Sequence, residues 1–161
     1  MISRGLFCFY RNIWTMTEHQ NDPRSVLVDH SEHNSIPNGS NQDNSLDACR
    51  FAIEAARLLA DSHCSDVFIY DLRGISQVTN YIIIASGTSD RQIKGLARHL
   101  KELADRFNMD HFGSEKDELT KWLVLDFIEV MAHLFEPVTR AHYDLEMLWG
   151  DAPMVSWHRG Q

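Results

Sequence analysis

Two short apolar runs near the carboxyl terminus constrain the fold of this chain more than any other feature. Residues 122–127 alternate bulky apolar side chains, and residues 130–135 form a second apolar run that only His133 interrupts. Because only Ile128 and Glu129 separate the runs, the spacing predicts an antiparallel pair of strands. A β-branched Ile fits a left-handed turn position poorly, so we expect a looser reversal than a two-residue primed turn.

The remaining apolar patterns place further helices and strands around this pair. The predicted elements are helices over 45–63 and 90–107 and strands over 67–72 and 81–85. Pro137 then ends the sheet, and a last helix is predicted from the helical spacing of residues 140, 143, 146 and 149. The strand over 81–85 is almost continuously apolar, which predicts burial on both faces. Residues 108–120 are polar and contain Gly113, so we expect a loop there. The predicted class is α/β, a small mixed sheet covered by helices in the order α-β-β-α-β-β-α.

The charge of the chain limits its partners. Fifteen basic and 23 acidic side chains give a formal net charge of −8. Proteins that bind nucleic acids usually show a basic face, because phosphate contacts dominate their affinity. The acidity therefore argues against direct RNA or DNA binding and favours a basic protein partner. No apolar run approaches the ~18 residues that span a bilayer, so we expect no membrane partner.

The two ends of the chain are predicted to lie outside the folded domain. Residues 1–44 are expected to form a disordered tail, since the polar stretch that ends it cannot bury enough apolar surface to offset its ordering entropy. Residues 1–17 carry two arginines and no acid, as a mitochondrial presequence does; the alternative is an upstream start codon, with translation beginning at Met16 and a cytoplasmic protein. The predicted organisation is completed by a domain over 45–150 and a flexible tail over 151–161.

Four groups of residues occur along the chain in a fixed order. They are DVFIYDLRG at 66–74, YIIIASGTSDR at 81–91, WxVxD with VxxHxF at 122–135, and RxxYDLExLWGDAP at 140–153. Together they resemble the ribosomal silencing factor family, also called Iojap-like proteins. The resemblance implies a fold related to the nucleotidyltransferases, an α/β sandwich with a mixed sheet. One departure is Ile128-Glu129, where family members often carry Gly-Asp.

The resemblance implies a binding module rather than an enzyme. Members of the family dock on one protein of the large ribosomal subunit, the fourteenth in the usual naming, near the face that joins the small subunit. A protein bound there would block subunit association and lower translation without any cofactor or metal. A structural homodimer that uses the apolar sheet face is a further hypothesis.

Five residues from the last strands and helix are expected to form the partner-binding patch. They are Trp122, Asp126, His133, Arg140 and Tyr143. Trp122 follows a polar loop, where a Trp serves either as a core lid or as an exposed anchor, and the resemblance favours the anchor. His133 lacks the neighbouring ligands or nucleophile that metal binding or catalysis needs, so we expect a hydrogen-bonded, half-buried side chain. Arg140 and Asp144 are spaced for an ion pair.

The segment GTSDR at residues 87–91 supports the alternative function. It lies between a strand and a helix, where backbone N–H groups can hold an anion, as in a degenerate nucleotidyltransferase-type site. Such a site would need a second carboxylate, Glu129 or Asp71, close to Asp126 to hold metal ions. The P-loop and GxGxxG patterns are absent. A capped helix with Arg91 pairing locally is therefore the expected structure.

Overall fold

Five strands form one mixed sheet in the computed structural model, which describes residues 41–111, 113–117 and 121–159. The strands are β1 Ser65–Asp71, β2 Tyr81–Ser86, β3 Gly113–Asp117, β4 Trp122–Asp126 and β5 Val130–Phe135. Their order across the sheet is β1-β2-β5-β4-β3, and neighbours are antiparallel except for the parallel pair β2 and β5. The predicted α/β class and the antiparallel pairing of β4 with β5 are confirmed.

The two long helices cover one face of this sheet. They are α1, Asn41–Asp61, and α2, Asp90–Arg106. Their buried apolar residues pack against strand residues that alternate toward the same side, which forms the main core. Phe51 of α1 packs edge-to-face against Phe107 and Phe127, with ring centroids 5.8 and 4.9 Å apart. Every residue of β2 is buried, as its continuous apolar character predicted.

Two short helices lie toward the opposite face. They are α3, Pro137–Tyr143, and α4, Leu145–Leu148. The expected single last helix is interrupted at Asp144, whose backbone adopts the left-handed conformation with φ 44° and ψ 55°. Asp tolerates this conformation better than most residues, so the chain changes direction there at moderate cost. This break turns α4 away from the axis of α3.

The reversal between β4 and β5 is tighter than expected. The Phe127 N–H donates to the Val130 carbonyl at 2.9 Å, and the Glu129 N–H donates to the Phe127 carbonyl at 2.8 Å. Ile128 therefore adopts a φ of 66°, a strained value for a β-branched residue. The Asp126 carboxylate accepts a hydrogen bond from the Ile128 N–H at 2.8 Å, which helps to hold this conformation.

Two other boundaries differ from the sequence prediction. Residues 113–117 form β3 at the edge of the sheet instead of lying within a loop. Pairing with β4 provides hydrogen-bond partners for backbone N–H and C=O groups of this segment, although its sequence is polar and has no apolar pattern. Helix α1 begins at residue 41 rather than 45. The prediction of disorder over residues 1–40 falls outside the described residues.

The C-terminal segment also differs from the flexible tail expected over 151–161. Residues 153–159 of this segment are called the C-terminal strap below. Main-chain hydrogen bonds of 2.8 and 2.9 Å join Pro153 and Val155 to the free edge of β1. The Trp157 indole N–H donates to a β1 carbonyl at 3.0 Å, so a side chain continues the pairing where the main chain leaves the edge.

Candidate partner-binding site

An aromatic cluster forms where β4 begins and β5 ends. It consists of Trp122, His133, Phe135 and Tyr143, which come from β4, β5 and α3. The Trp122 ring stacks on Phe135 with centroids 4.9 Å apart and contacts Tyr143, also at 4.9 Å. Strand pairing aligns Trp122 with Phe135, and Pro137 starts α3 directly after β5, so the helix carries Tyr143 back over the strand ends. The structure thus brings three of the five predicted residues together.

Trp122 is buried in this cluster, with 6% of its surface exposed. The expectation that Trp122 is an exposed anchor is therefore wrong. Its burial is that of a core lid, since Tyr143 and Phe135 occupy the space on its faces. Tyr143, which is half-buried, is the member of the cluster that presents an aromatic surface to solvent.

His133 is fully buried rather than half-buried, and it is hydrogen-bonded as expected. Its Nδ1 accepts the indole N–H of Trp122 at 3.3 Å. This arrangement requires an unprotonated Nδ1 and therefore a neutral imidazole. Burial lowers the pKa of His133 to about 3, because an imidazolium would lose its hydration there. A neutral, enclosed imidazole suits packing and hydrogen bonding rather than acid–base catalysis near pH 7.

Arg140 is a buried positioning residue next to the aromatic cluster. Its guanidinium donates to the Ser86 hydroxyl and to the Asp66 carbonyl, both at 2.8 Å, and to the Glu146 carboxylate at 2.6 Å. It also lies over the Phe68 ring, with Cζ 5.4 Å from the centroid. These contacts fasten α3 and α4 to β1 and β2. Arg140 thereby fixes where Tyr143 lies.

The sequence did not identify the partners of Arg140. We expected Asp144 at helical spacing, but the break after Tyr143 removes that spacing and brings Glu146 to the guanidinium instead. Ser86 and Asp66 are remote in sequence and meet Arg140 only because β1 and β2 pair beneath α3. Nothing in the local pattern could have indicated them.

Asp126 lies apart from the rest of the predicted patch. It ends the strand that Trp122 begins, about 14 Å away at the usual rise per residue. Its carboxylate accepts the N–H of Ile128 in the turn. Asp126 is thus a turn residue, and the structure does not bring it to the aromatic cluster.

The alternative enzymatic site is not assembled either. Residues 87–91 follow β2 at the end of the sheet that holds Trp122, whereas Asp126 is aligned with Met131 near the opposite end. Asp71 and Glu129 also lie at that opposite end, where Asp71 is paired with Arg73. The segment and its proposed carboxylates are therefore separated by nearly the length of the sheet. Among the described residues, no group of three or more His, Cys, Asp or Glu side chains could hold a metal ion.

The apolar sheet face expected for a homodimer is not open. All residues of β2 and β5 are buried, including the side chains that alternate away from α1 and α2. Separately, none of the helices in the described part of the chain has the length and apolar character needed to cross a membrane.

Comparison with known proteins identifies relatives of this structure. Residues 45–160 match the protein family described as "Ribosomal silencing factor during starvation". Ribosomal silencing factor RsfS of Bacillus subtilis (strain 168) is 36% identical over 101 residues, which cover 63% of this chain and 86% of that protein. The mouse protein named "Mitochondrial assembly of ribosomal large subunit protein 1" is 31% identical over 57% of this chain and 42% of its own length. A crystal structure of a Chromobacterium violaceum protein matches with a TM-score of 0.57 and 30% identity, over 71% of this chain and 92% of that one.

Proposed function

This chain belongs to the ribosomal silencing factor family, and we propose that it represses translation by binding the large ribosomal subunit through one of its proteins, the fourteenth in the usual naming. In this proposal the bound protein covers the face that joins the small subunit and blocks association sterically. The extent of the block follows mass action, since it depends on the concentration of the repressor relative to its dissociation constant. No bond is made or broken.

The observation that carries the proposal is the support of Tyr143 by a rigid aromatic cluster. Tyr143 is half-buried and rests on the buried Trp122 ring, so little side-chain entropy remains to be lost when a partner covers it. On the same pair of short helices, Val138 and Met147 are 84% and 81% exposed. Aromatic residues in such supported positions dominate interface energetics. In this proposal Tyr143, Val138 and Met147 together contact the partner, and they are called the docking face.

The charge of the protein agrees with a ribosomal protein partner. With a formal charge of −8, the chain is attracted to a basic protein and repelled by exposed RNA elsewhere on the ribosome. The acidity thus favours specificity and association rate more than final affinity. The mouse relative's name refers to the large subunit, which agrees with the proposed target.

Sedimentation with separated ribosomal subunits tests the proposal. We expect the purified protein to sediment with the large subunit and not with the small one, and to reduce joining when both are mixed. Binding to both subunits, or to neither, would refute the proposed target. Binding to the large subunit without any effect on joining would refute the steric mechanism.

A matched pair of variants tests the docking face. Tyr143→Ala should weaken large-subunit binding by roughly 30-fold, because truncation of a central interface aromatic costs about 2 kcal/mol. Ile75→Ala is the control, since Ile75 is 53% exposed in the loop after β1, at the opposite end of the sheet. Equal affinities of the two variants, with both folded, would contradict the assigned face.

A test for catalysis separates this proposal from the enzymatic alternative. We expect no turnover of nucleoside triphosphates and no stabilisation against heat by nucleotides with magnesium. Turnover that is abolished by Asp126→Asn would favour the enzyme instead.

The cellular location of the protein depends on whether residues 1–17 act as a presequence. We propose a cytoplasmic protein, with a mitochondrial location if those residues act as a presequence. Fractionation of cells that express the full chain or a chain beginning at Met16 distinguishes the two. An organellar location of the full chain alone would favour the presequence.

A further inference from the structure

Helix α2 carries two arginines that no acidic side chain among the described residues neutralises. Within residues 41–111, 113–117 and 121–159, five arginines pair with carboxylates: Arg50, Arg57, Arg73, Arg140 and Arg159. Arg106 donates to the Glu102 carbonyl of its own helix. Arg91 and Arg98 are exposed and make neither kind of contact among the described residues. The local pairing expected for Arg91 is therefore wrong.

These two arginines lie on one face of α2. They are seven residues apart, which is two helical turns and about 10.5 Å along the axis. Lys94 lies between them on the same face and is paired with Asp90 at 2.9 Å. That pair is largely exposed, so it holds Lys94 only weakly. Arg91, Lys94 and Arg98 form a basic stripe on a chain whose net charge is −8.

The basic stripe begins at the same end of the sheet as the docking face. β2 ends at Ser86, which strand pairing places in line with Phe135 and Trp122, and α2 starts only four residues later. The stripe then extends along the helix, away from that end. Because α2 and the docking face lie on opposite sides of the sheet, a partner that covers the docking face reaches Arg91 by extending around this shared end.

The start of α2 is held rigidly, which fixes the stripe relative to the sheet. Gly87 is required there, because a Cβ at this position would lie 2.7 Å from Cγ1 of Ile93. The Ser89 hydroxyl caps the helix by accepting the Gln92 N–H at 3.3 Å. The Gln92 side chain in turn accepts the Thr88 N–H at 2.6 Å. The GTSDR segment thus builds a close helix-to-strand junction that presents Arg91.

We infer that the basic stripe of α2 contacts the phosphate backbone of ribosomal RNA beside the protein partner on the large subunit. This inference rests on the proposed function. The planar guanidinium matches phosphate oxygens in a bidentate geometry, which favours an RNA backbone. Because the protein is acidic overall, RNA contacts do not supply most of the affinity. The docking face determines where the protein binds, and the basic stripe adds a local contact with RNA at that position. Such contacts fix orientation and carry no sequence specificity.

Salt dependence of binding to the large subunit tests this inference. The dissociation constant is measured at 50 to 200 mM KCl and fixed magnesium for the wild type, for Arg91→Gln/Arg98→Gln, and for Arg50→Gln/Arg106→Gln. Both double variants remove two exposed charges, so their net charges are equal. Loss of two phosphate contacts should reduce the slope of log binding constant against log salt concentration by about 2 in magnitude. Between 50 and 200 mM KCl, the affinity of this variant should therefore fall by a factor roughly 16 times smaller than that of the wild type. The control should keep the wild-type slope.

A second readout identifies the partner of the stripe. A photoreactive side chain placed at His99, which is exposed next to Arg98, should cross-link to RNA and give a nuclease-sensitive product. Cross-links to protein alone, or equal slopes for the two double variants, would overturn the inference while leaving the proposed function intact. If the wild-type protein does not bind the large subunit, the proposed function fails and the inference fails with it.

Discussion

The buried His133 should make the stability of this protein fall as the pH drops below about 6.5. In the unfolded chain the imidazole protonates near its usual pKa of 6.5, whereas in the folded protein burial lowers the pKa to about 3. Between these two values the unfolded state binds one more proton than the folded state, so acid favours unfolding. The stabilising effect of the neutral folded form is complete above pH 6.5 and is lost progressively as the pH falls toward 3.

The magnitude follows from the two pKa values. Each pH unit within the window changes the free energy of unfolding by about 1.4 kcal/mol. From pH 7 to pH 5 the loss is about 2 kcal/mol, because titration of the unfolded chain is only partial above pH 6.5. For a domain whose total stability is roughly 5–15 kcal/mol, this is a measurable fraction.

Urea unfolding at pH 7, 6 and 5 measures this loss, and two variants isolate His133 from the carboxylates. His133→Asn removes the titration and keeps an acceptor oxygen near the position of Nδ1 for the Trp122 indole. Between pH 7 and pH 5, the free energy of unfolding of this variant should fall by about 2 kcal/mol less than that of the wild type. His142→Asn is the control, since His142 is exposed on α3, and it should keep the wild-type slope.

Two results would refute the reasoning. One is an equal pH dependence for the wild type and His133→Asn. The other is an NMR titration in which the His133 imidazole of the folded protein protonates near pH 6. The second measurement needs no substitution, so it decides the matter even if His133→Asn does not fold.

Three further predictions concern stability. Trp122→Ala should cost about 3–5 kcal/mol in urea unfolding, because it empties a buried, stacked site, and a loss below 1 kcal/mol would contradict the burial. Ile128→Gly should raise the free energy of unfolding by about 1 kcal/mol by relieving the φ of 66°, whereas Ile75→Gly should lower it; a loss at both positions would show that the turn is not strained. A chain that ends at Ala152 lacks the C-terminal strap and should melt at a lower temperature, since β1 loses its edge hydrogen bonds and the Trp157 contact; an unchanged melting temperature would show that the strap contributes nothing.

Much of the fold followed from periodicity that each segment carries within itself. The continuous apolar run of β2, the alternation in β4 and β5 and the helical spacing of α2 each report burial through local pattern, because a strand or helix must turn its apolar side toward the core. The family resemblance rested on four ordered motifs and is confirmed over residues 45–160. Polar β3 had no such pattern, so the sequence indicated a loop where pairing with β4 makes a strand.

The candidate site depended on contacts between residues far apart in the chain. The sequence placed Trp122, His133 and Tyr143 near one another by strand pairing and a helical return, and that grouping is what the structure shows. It could not decide that Trp122 is a lid and Tyr143 the exposed member, because that depends on where α3 crosses the strand ends. Arg140 fixes this crossing through Ser86 and Glu146, and neither is within one helical turn of it in sequence. Local pattern determined which residues are apolar and which elements they form, whereas exposure is a property of what the remaining chain places above each side chain, and only tertiary packing decides it.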